Sequence, residues 1–303
     1  MSVGQPSTAM TSTERRAVAS LGLLYATRFL GLFMVLPVLA IYADGFTDST
    51  PAKLGLAAGA YGLTQAVLQI PYGFMSDRWG RKPIIVLGLI VFAIGSAWAA
   101  VATSLEALIM ARAMQGAGAI SATVMAMLAD VTREEQRTKA VAMLGGSIGL
   151  VFLLAMVLGP PLASNFGFSA VFWLSAALAV VGIAVVVFVV PSPVATFNRE
   201  VSPASYLFSK ALKDRQLLRL NWGIFALHFV LTALFLVVPP LLAKELGVDP
   251  SQHGWVYFLV IACSFVLMLP VVFWAERKGE VRSAMAISVS LVVASLLVIG
   301  FGA

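Results

Sequence analysis

The sequence predicts an all-α polytopic membrane protein, and three observations carry that prediction. First, 60% of the residues are hydrophobic and 11% charged, with a mean hydropathy of +0.95; an ordinary soluble domain is about 25% charged. Second, the apolar residues gather into nine runs, each near the roughly 20 residues that a helix needs to cross a bilayer. Third, the bases are segregated. Of the 20 Lys and Arg, 16 fall on one set of alternate loops, two (Lys53 and Lys244) on the other, and two (Arg28 and Arg112) inside runs. That asymmetry places the N-terminus in the cytoplasm.

Run 1 spans 18–43. The polar residues before it contain no cleavable signal, so the run is its own targeting signal. It carries Arg28 in Tyr25-Ala26-Thr27-Arg28-Phe29-Leu30-Gly31, and Pro37 further on. Arg28 has two readings, snorkelling to the cytoplasmic face or lining a cavity.

Run 2, 54–75, and run 3, 83–102, are joined by Gly73-Phe74-Met75-Ser76-Asp77-Arg78-Trp79-Gly80-Arg81-Lys82. One acid, three bases and a turn glycine between two spans predict a cytoplasmic hairpin with a fixed angle. Gly80 can take the positive φ of the reversal. Asp77, at a membrane boundary, needs a cationic or helix-terminus partner. On run 2, Gln65 and Gln69 stand four apart, one turn beyond Tyr61, as a polar stripe that lines a cavity or bonds a neighbouring helix.

Run 4, 105–129, holds Arg112-Ala113-Met114-Gln115-Gly116-Ala117-Gly118 and ends at Asp130. A charge near the bilayer centre costs at least about 2.5 kcal/mol on insertion scales, so Arg112 faces a cavity or bonds carbonyls of a neighbour. Gln115 shares its face, and the glycines admit a close helix contact. Run 5, 140–163, contains Gly146, Gly159 and Pro160. Gly-Pro frees a carbonyl and permits a kink, or simply packs tightly. Run 6 spans 169–190.

Residues 191–217 read as a cytoplasmic linker with a short interfacial amphipathic helix over 205–219. Runs 7, 8 and 9 follow at 218–243, 255–274 and 283–302. His228 in run 7 is either a hydrogen-bonded structural group or a cavity residue. The second half repeats the first: Ile70-Pro71 with Asp77-Arg78-x-Gly80 recurs as Leu269-Pro270 with Glu276-Arg277-x-Gly279, and Pro37 as Pro239. Parallel repeats of this kind build carriers from two halves. The domains expected are a six-helix bundle over 1–190, the linker over 191–217 and a partial second bundle over 218–303.

The hairpin pattern resembles the signature between helices 2 and 3 of the major facilitator superfamily of secondary transporters. The Arg112 segment resembles that family's helix-4 motif. Gly146, Gly159 and Pro160 resemble its helix-5 antiporter motif, with Ala155 and Ala163-Ser164 where glycines are expected. From Phe33 to Val190 the chain is most similar to the bacterial YajR-like branch of the drug:proton antiporters. The resemblance implies a fold of 6+6 helices, of which the chain holds about nine, so helices 10–12 are expected to be missing. It implies that Asp77, Arg81 and Asp130 form a charge relay, with Gly73, Arg78, Gly80 and Lys82 completing the motif. Proton coupling or cavity lining falls to Arg112, Gln115, Arg28, Gln65, Gln69 and His228. Runs 3, 6 and 9, which contain no charged residue, occupy the lipid-facing positions.

The function expected is proton-coupled efflux of small hydrophobic or drug-like molecules by alternating access, from a monomer in the bacterial inner membrane. A receptor or scaffold on the same fold, and an importer of a polar metabolite such as a sugar, are the alternatives. The proton gradient stands in place of a cofactor. No metal site is expected, since Cys263 is the single cysteine. The net charge of +6 belongs to the cytoplasmic loops and not to a nucleic-acid surface. An enzyme is disfavoured: there is no HExxH, no P-loop, and no Ser-His-Asp set around the two histidines. One gap in the coupling argument is that no Asp or Glu lies deep in any run.

Overall fold

The computed structural model describes residues 9–46, 48–191, 210 and 213–302, which fold as eleven α-helices without a strand. The first is α1, Ser12–Phe33, and it starts with a capping box. The Glu14 amide donates to Thr11 Oγ1, and the Thr11 amide donates to the Glu14 carboxylate. The membrane run that follows is interrupted at Met34–Val35, and α2, Leu36–Tyr42, restarts it with Pro37 in its first turn. Proline lacks the N–H that would continue the ladder, which accounts for the break.

Helix α3, Pro51–Trp79, is capped by Thr50 and has Pro51 at its first position. It ends at Gly80, whose φ of 93° makes the reversal into α4, Arg81–Ala100. The fourth run is not one helix. It is α5, Leu105–Ala117, and α6, Ser121–Val131, separated by the non-helical residues 118–120. This corrects the continuous span expected from sequence. The run is long and apolar enough to cross a membrane as a whole, but hydropathy is blind to a backbone break that side chains re-satisfy. Helix α7 covers Glu134–Phe166, and α8, Phe168–Ala184, ends in a π-turn over Val185–Val189. Most helices overrun their apolar runs at one or both ends, because hydropathy marks the hydrocarbon core while the backbone ladder continues through the interface.

After the linker come α9, Arg215–Lys244, capped by Asp214; α10, His253–Lys278; and α11, Val281–Gly302. Residues 192–209, 211 and 212, with seven of the fifteen residues of the expected amphipathic helix, lie outside the described residues. Arg215 and Arg219 belong to the first turns of α9.

The chain divides into two compact units, Met1–Gly254 and Trp255–Ala303. This division does not coincide with the linker, because the second half of α9 packs on α2 within the first unit. The core of that unit is Leu21, Leu24, Ile85, Leu89, Ile120, Val124, Met127 and Val186, all within 1% of complete burial. Gly116 and Gly118 allow helices to touch through their backbones. A Cβ on Gly116 would stand 2.1 Å from the Tyr61 carbonyl oxygen, and one on Gly118 would stand 2.3 Å from that of Gly88. In the second unit, α10 turns into α11 at Gly279, where φ is 66°, as the internal repeat requires.

Among the described residues, eight helical segments are long and apolar enough to cross a membrane. Helix α3 has the length, at 29 residues, but Tyr61, Thr64, Gln65 and Gln69 dilute its hydropathy. That polar face is what gives it a part in the site.

Candidate functional site

Asp77, Arg81 and Asp130 meet at the hairpin. Arg81 opens α4, where the positive end of the helix dipole disfavours a base, so it draws in acids. Its Nε donates to Asp130 at 2.9 Å, and its Nη1 donates to Asp77 and to Ser76 Oγ, the latter at 2.7 Å. One guanidinium fork thus joins the end of α3, the start of α4 and the end of α6. Arg81 is 17% exposed, and Asp77 and Asp130 are 54% and 38% exposed. Arg78 is exposed, and Gly73 has open space where a side chain would go. Gly80 serves as the turn.

Both membrane arginines are buried to 1% exposure, so Arg28 does not snorkel. Arg112 donates from Nη1 to Gln115 Oε1 at 2.8 Å and lies 5.0 Å over the Tyr61 ring. Gln115 Nε2 donates on to Ser96 Oγ at 2.8 Å. Arg28 donates from Nη1 to Ser121 Oγ at 3.1 Å. Its Nη2 donates to the Gly118 carbonyl at 3.0 Å and to Gln65 Oε1 at 3.1 Å. Tyr25 donates to the Ser121 carbonyl at 3.0 Å. The break in run 4 is therefore plugged from helix α1, which supplies the partners that its freed polar groups need.

A cavity of about 820 Å³ lies between α3 and α9, within the size range of small-molecule sites. Gly62, Gln65, Ala66, Gln69 and Ile70 form one wall, and Asn221, Ile224, Phe225 and His228 the other. Of the residues singled out in the sequence, Gln65, Gln69 and His228 line it. Arg112, Gln115 and Arg28 do not; they lie within the bundle, and of these Arg28 reaches the wall through Gln65. The His228 ring bonds its own helix, with Nδ1 2.9 Å from the Ile224 carbonyl oxygen. Gly146 has open space where a side chain would go, whereas a Cβ on Gly159 would stand 2.8 Å from the Met34 carbonyl oxygen at the interruption between α1 and α2. Gly146, Gly159 and Pro160 all lie on α7, where Gly159 is a packing contact.

Sequence reasoning missed three features. Glu14 accepts from the Arg133 amide and Nε at 2.9 and 3.0 Å, clamping the start of α1 to the α6–α7 turn; that hydrogen bonding pushes the Arg133 guanidinium upward in pKa. Lys53 Nζ donates to Asp48 at 3.1 Å and to Glu106 at 2.7 Å, on the opposite face from the hairpin. Asp48 also accepts from the Leu105 amide at 2.8 Å. That amide, followed by Lys53, holds the Asp48 carboxyl below the usual carboxylate range despite some desolvation. Finally, Tyr25, Phe29, Phe33, Phe152 and Phe235 form a ladder of ring contacts, 5.1 to 6.1 Å between successive centroids, from α1 through α7 to α9. The i, i+4 spacing of the first three was visible in the sequence.

Residues 21–240 match the Major Facilitator Superfamily. The chain is 45% identical over 291 residues to the inner membrane transport protein YajR of Escherichia coli (strain K12), covering 96% of this chain and 64% of that protein. It is 25% identical to the multidrug resistance protein MdtH of Yersinia enterocolitica, over 89% of this chain and 67% of the relative. Among solved structures, a bacterial homolog of the human lysosomal transporter Spinster, inward-facing and unoccupied, superposes with a TM-score of 0.72 at 18% identity, covering 89% of this chain and 64% of that one.

Proposed function

The chain belongs to the major facilitator superfamily, and we propose that it forms the larger part of a proton-coupled carrier exporting small, partly apolar molecules by alternating access. Sequence and fold relatives in this family are transporters, not enzymes. The observation that carries the proposal is the asymmetric seating of α9. Its second half packs on α2, while residues 221–229 in its first half are exposed beside the cavity. Those residues, and Gln65 to Ile70 on α3, lie toward the hairpin end. By the distribution of bases that end is cytoplasmic, so the arrangement is that of a carrier open to the inside of a bacterial inner membrane, with its N-terminus in the cytoplasm. The mixed lining, with Ile70, Ile224 and Phe225 beside Gln65, Gln69 and Asn221, suits amphipathic cargo. The hairpin cluster would act as the conformational latch, and the Arg112–Gln115–Ser96 chain or His228 would couple protons.

Proteoliposomes with an imposed pH gradient test this reading. A candidate substrate should drive proton movement with saturable kinetics, and Asp77→Asn should suppress it. Saturable binding without any proton or substrate flux would favour the receptor reading. Uptake along the proton gradient, in place of exchange against it, would favour the importer of a polar metabolite.

A further inference from the structure

Arg28 carries a positive charge into the bundle without a counter-ion among the described residues. None of the ion pairs among the described residues includes it. Its hydrogen bonds go to neutral oxygens of Ser121, Gly118 and Gln65, and it lies 5.8 and 5.9 Å from the Phe29 and Phe92 ring centroids. Its Nε is buried and has no hydrogen-bond partner among the described residues. A buried charge with only dipoles for company is costly, and such residues in membrane spans mark ligand or ion paths.

The neighbour that matters is Gln65. A guanidinium has donors only, so the Gln65 amide must turn its oxygen toward Arg28. What Gln65 then has left for the cavity is its NH₂ group, a donor polarised by the cation behind it. Among the described residues no Asp, Glu, Lys or Arg lines the cavity. At Gln65 the wall therefore offers donor hydrogens under a positive potential, beside the adaptable amides of Gln69 and Asn221 and the His228 ring. An anionic acceptor meets complementary charge there, and an ammonium group meets repulsion.

We propose that Gln65, backed by Arg28, is the recognition point for a carboxylate on the transported molecule, whose apolar part rests against Ile70, Ile224 and Phe225. This rests on the carrier reading above and assigns its substrate class as amphipathic monocarboxylates.

Three probes with one skeleton test it: 4-phenylbutyrate, 4-phenylbutyramide and 4-phenylbutylammonium. Each is titrated by equilibrium dialysis against the purified chain in nanodiscs. The carboxylate should bind at least about tenfold more tightly than the ammonium, with the amide between. Gln65→Glu places a carboxylate beside Arg28 and should weaken phenylbutyrate at least about tenfold, while thermal unfolding shows the bundle unchanged or more stable. Equal affinities, a preference for the ammonium, unchanged phenylbutyrate binding in Gln65→Glu, or no binding of any probe would each overturn the proposal. Proton flux measured separately divides the two ideas. Flux driven by a cation without carboxylate binding sinks the substrate class and keeps the carrier. Charge-selective carboxylate binding without flux keeps the site and sinks the carrier.

Discussion

Each face of the first unit carries a cluster of one cation and two acids, and the two clusters are built for different purposes. On the hairpin face Arg81 joins Asp130 through Nε and Asp77 and Ser76 through Nη1, so a planar fork fixes three helix ends at defined angles. On the opposite face Lys53 joins Asp48 and Glu106 as a single point charge. There the directional bond comes from the backbone, where Asp48 receives the Leu105 amide at the start of α5. The arginine cluster fixes orientation between helices; the lysine cluster closes a loop. Only the first is suited to be a latch, since a latch must resist rotation and not merely separation.

The sharpest way to break this comparison is to remove one cation from each face. Arg81→Ala or Asp77→Asn should reduce transport at least about tenfold at equal membrane insertion, as expected when a fork that orients three helix ends is lost. Lys53→Ala should change it by no more than about threefold, because its point charge closes a loop and fixes no angle between helices. Equal losses at both sites would show that charge, and not fork geometry, is what matters. Arg81→Lys sharpens the point further. It keeps the charge and loses the second direction, so it should recover less than about half of the lost activity.

Next in size is Glu14→Gln. Glu14 is 4% exposed and binds Arg133 through both oxygens. Losing that charge should lower the melting temperature and leave the affinity for a bound ligand within about twofold, since the clamp lies outside the cavity. A change in affinity greater than in stability would make it part of the transport cycle.

How much of this was legible in the sequence depends on whether a feature is local. The Asp77–Arg81 pair, four residues apart on either side of Gly80, and Gln115, three after Arg112, were readable because helix and turn geometry fix such neighbours. Asp130 came from the motif's resemblance, since nothing in spacing alone joins it to Arg81. The Arg28–Gln65–Gly118 junction was not legible. Its members are 37 and 90 residues apart, and the break at 118–120 that creates its acceptor is as apolar as its surroundings. Glu14 was passed over because an acid in a first turn already has a local explanation as a cap, and its second partner is 119 residues away. The contrast between Gly118 and Gly146 makes the same point: both are glycines in apolar runs, yet only the first is packed against another backbone.

The smallest effect expected is a pH dependence confined to the opposite face. Folding holds the Asp48 carboxyl below its ordinary value, through the Leu105 amide first and Lys53 after it. A depressed carboxylate stabilises the fold at any pH above its unfolded value, about 3.9. The contribution is lost as pH falls through the folded value, because the unfolded chain then takes up the proton first. The gap in melting temperature between the native chain and Asp48→Asn should therefore stay constant from about pH 8 to pH 5 and close below about pH 4. Many carboxylates titrate in that window, so the difference between the two curves is the quantity to measure. A gap that persists unchanged to about pH 3 would mean that the Leu105 amide bonds the asparagine poorly for steric reasons, and that the Lys53 cluster owes little to charge.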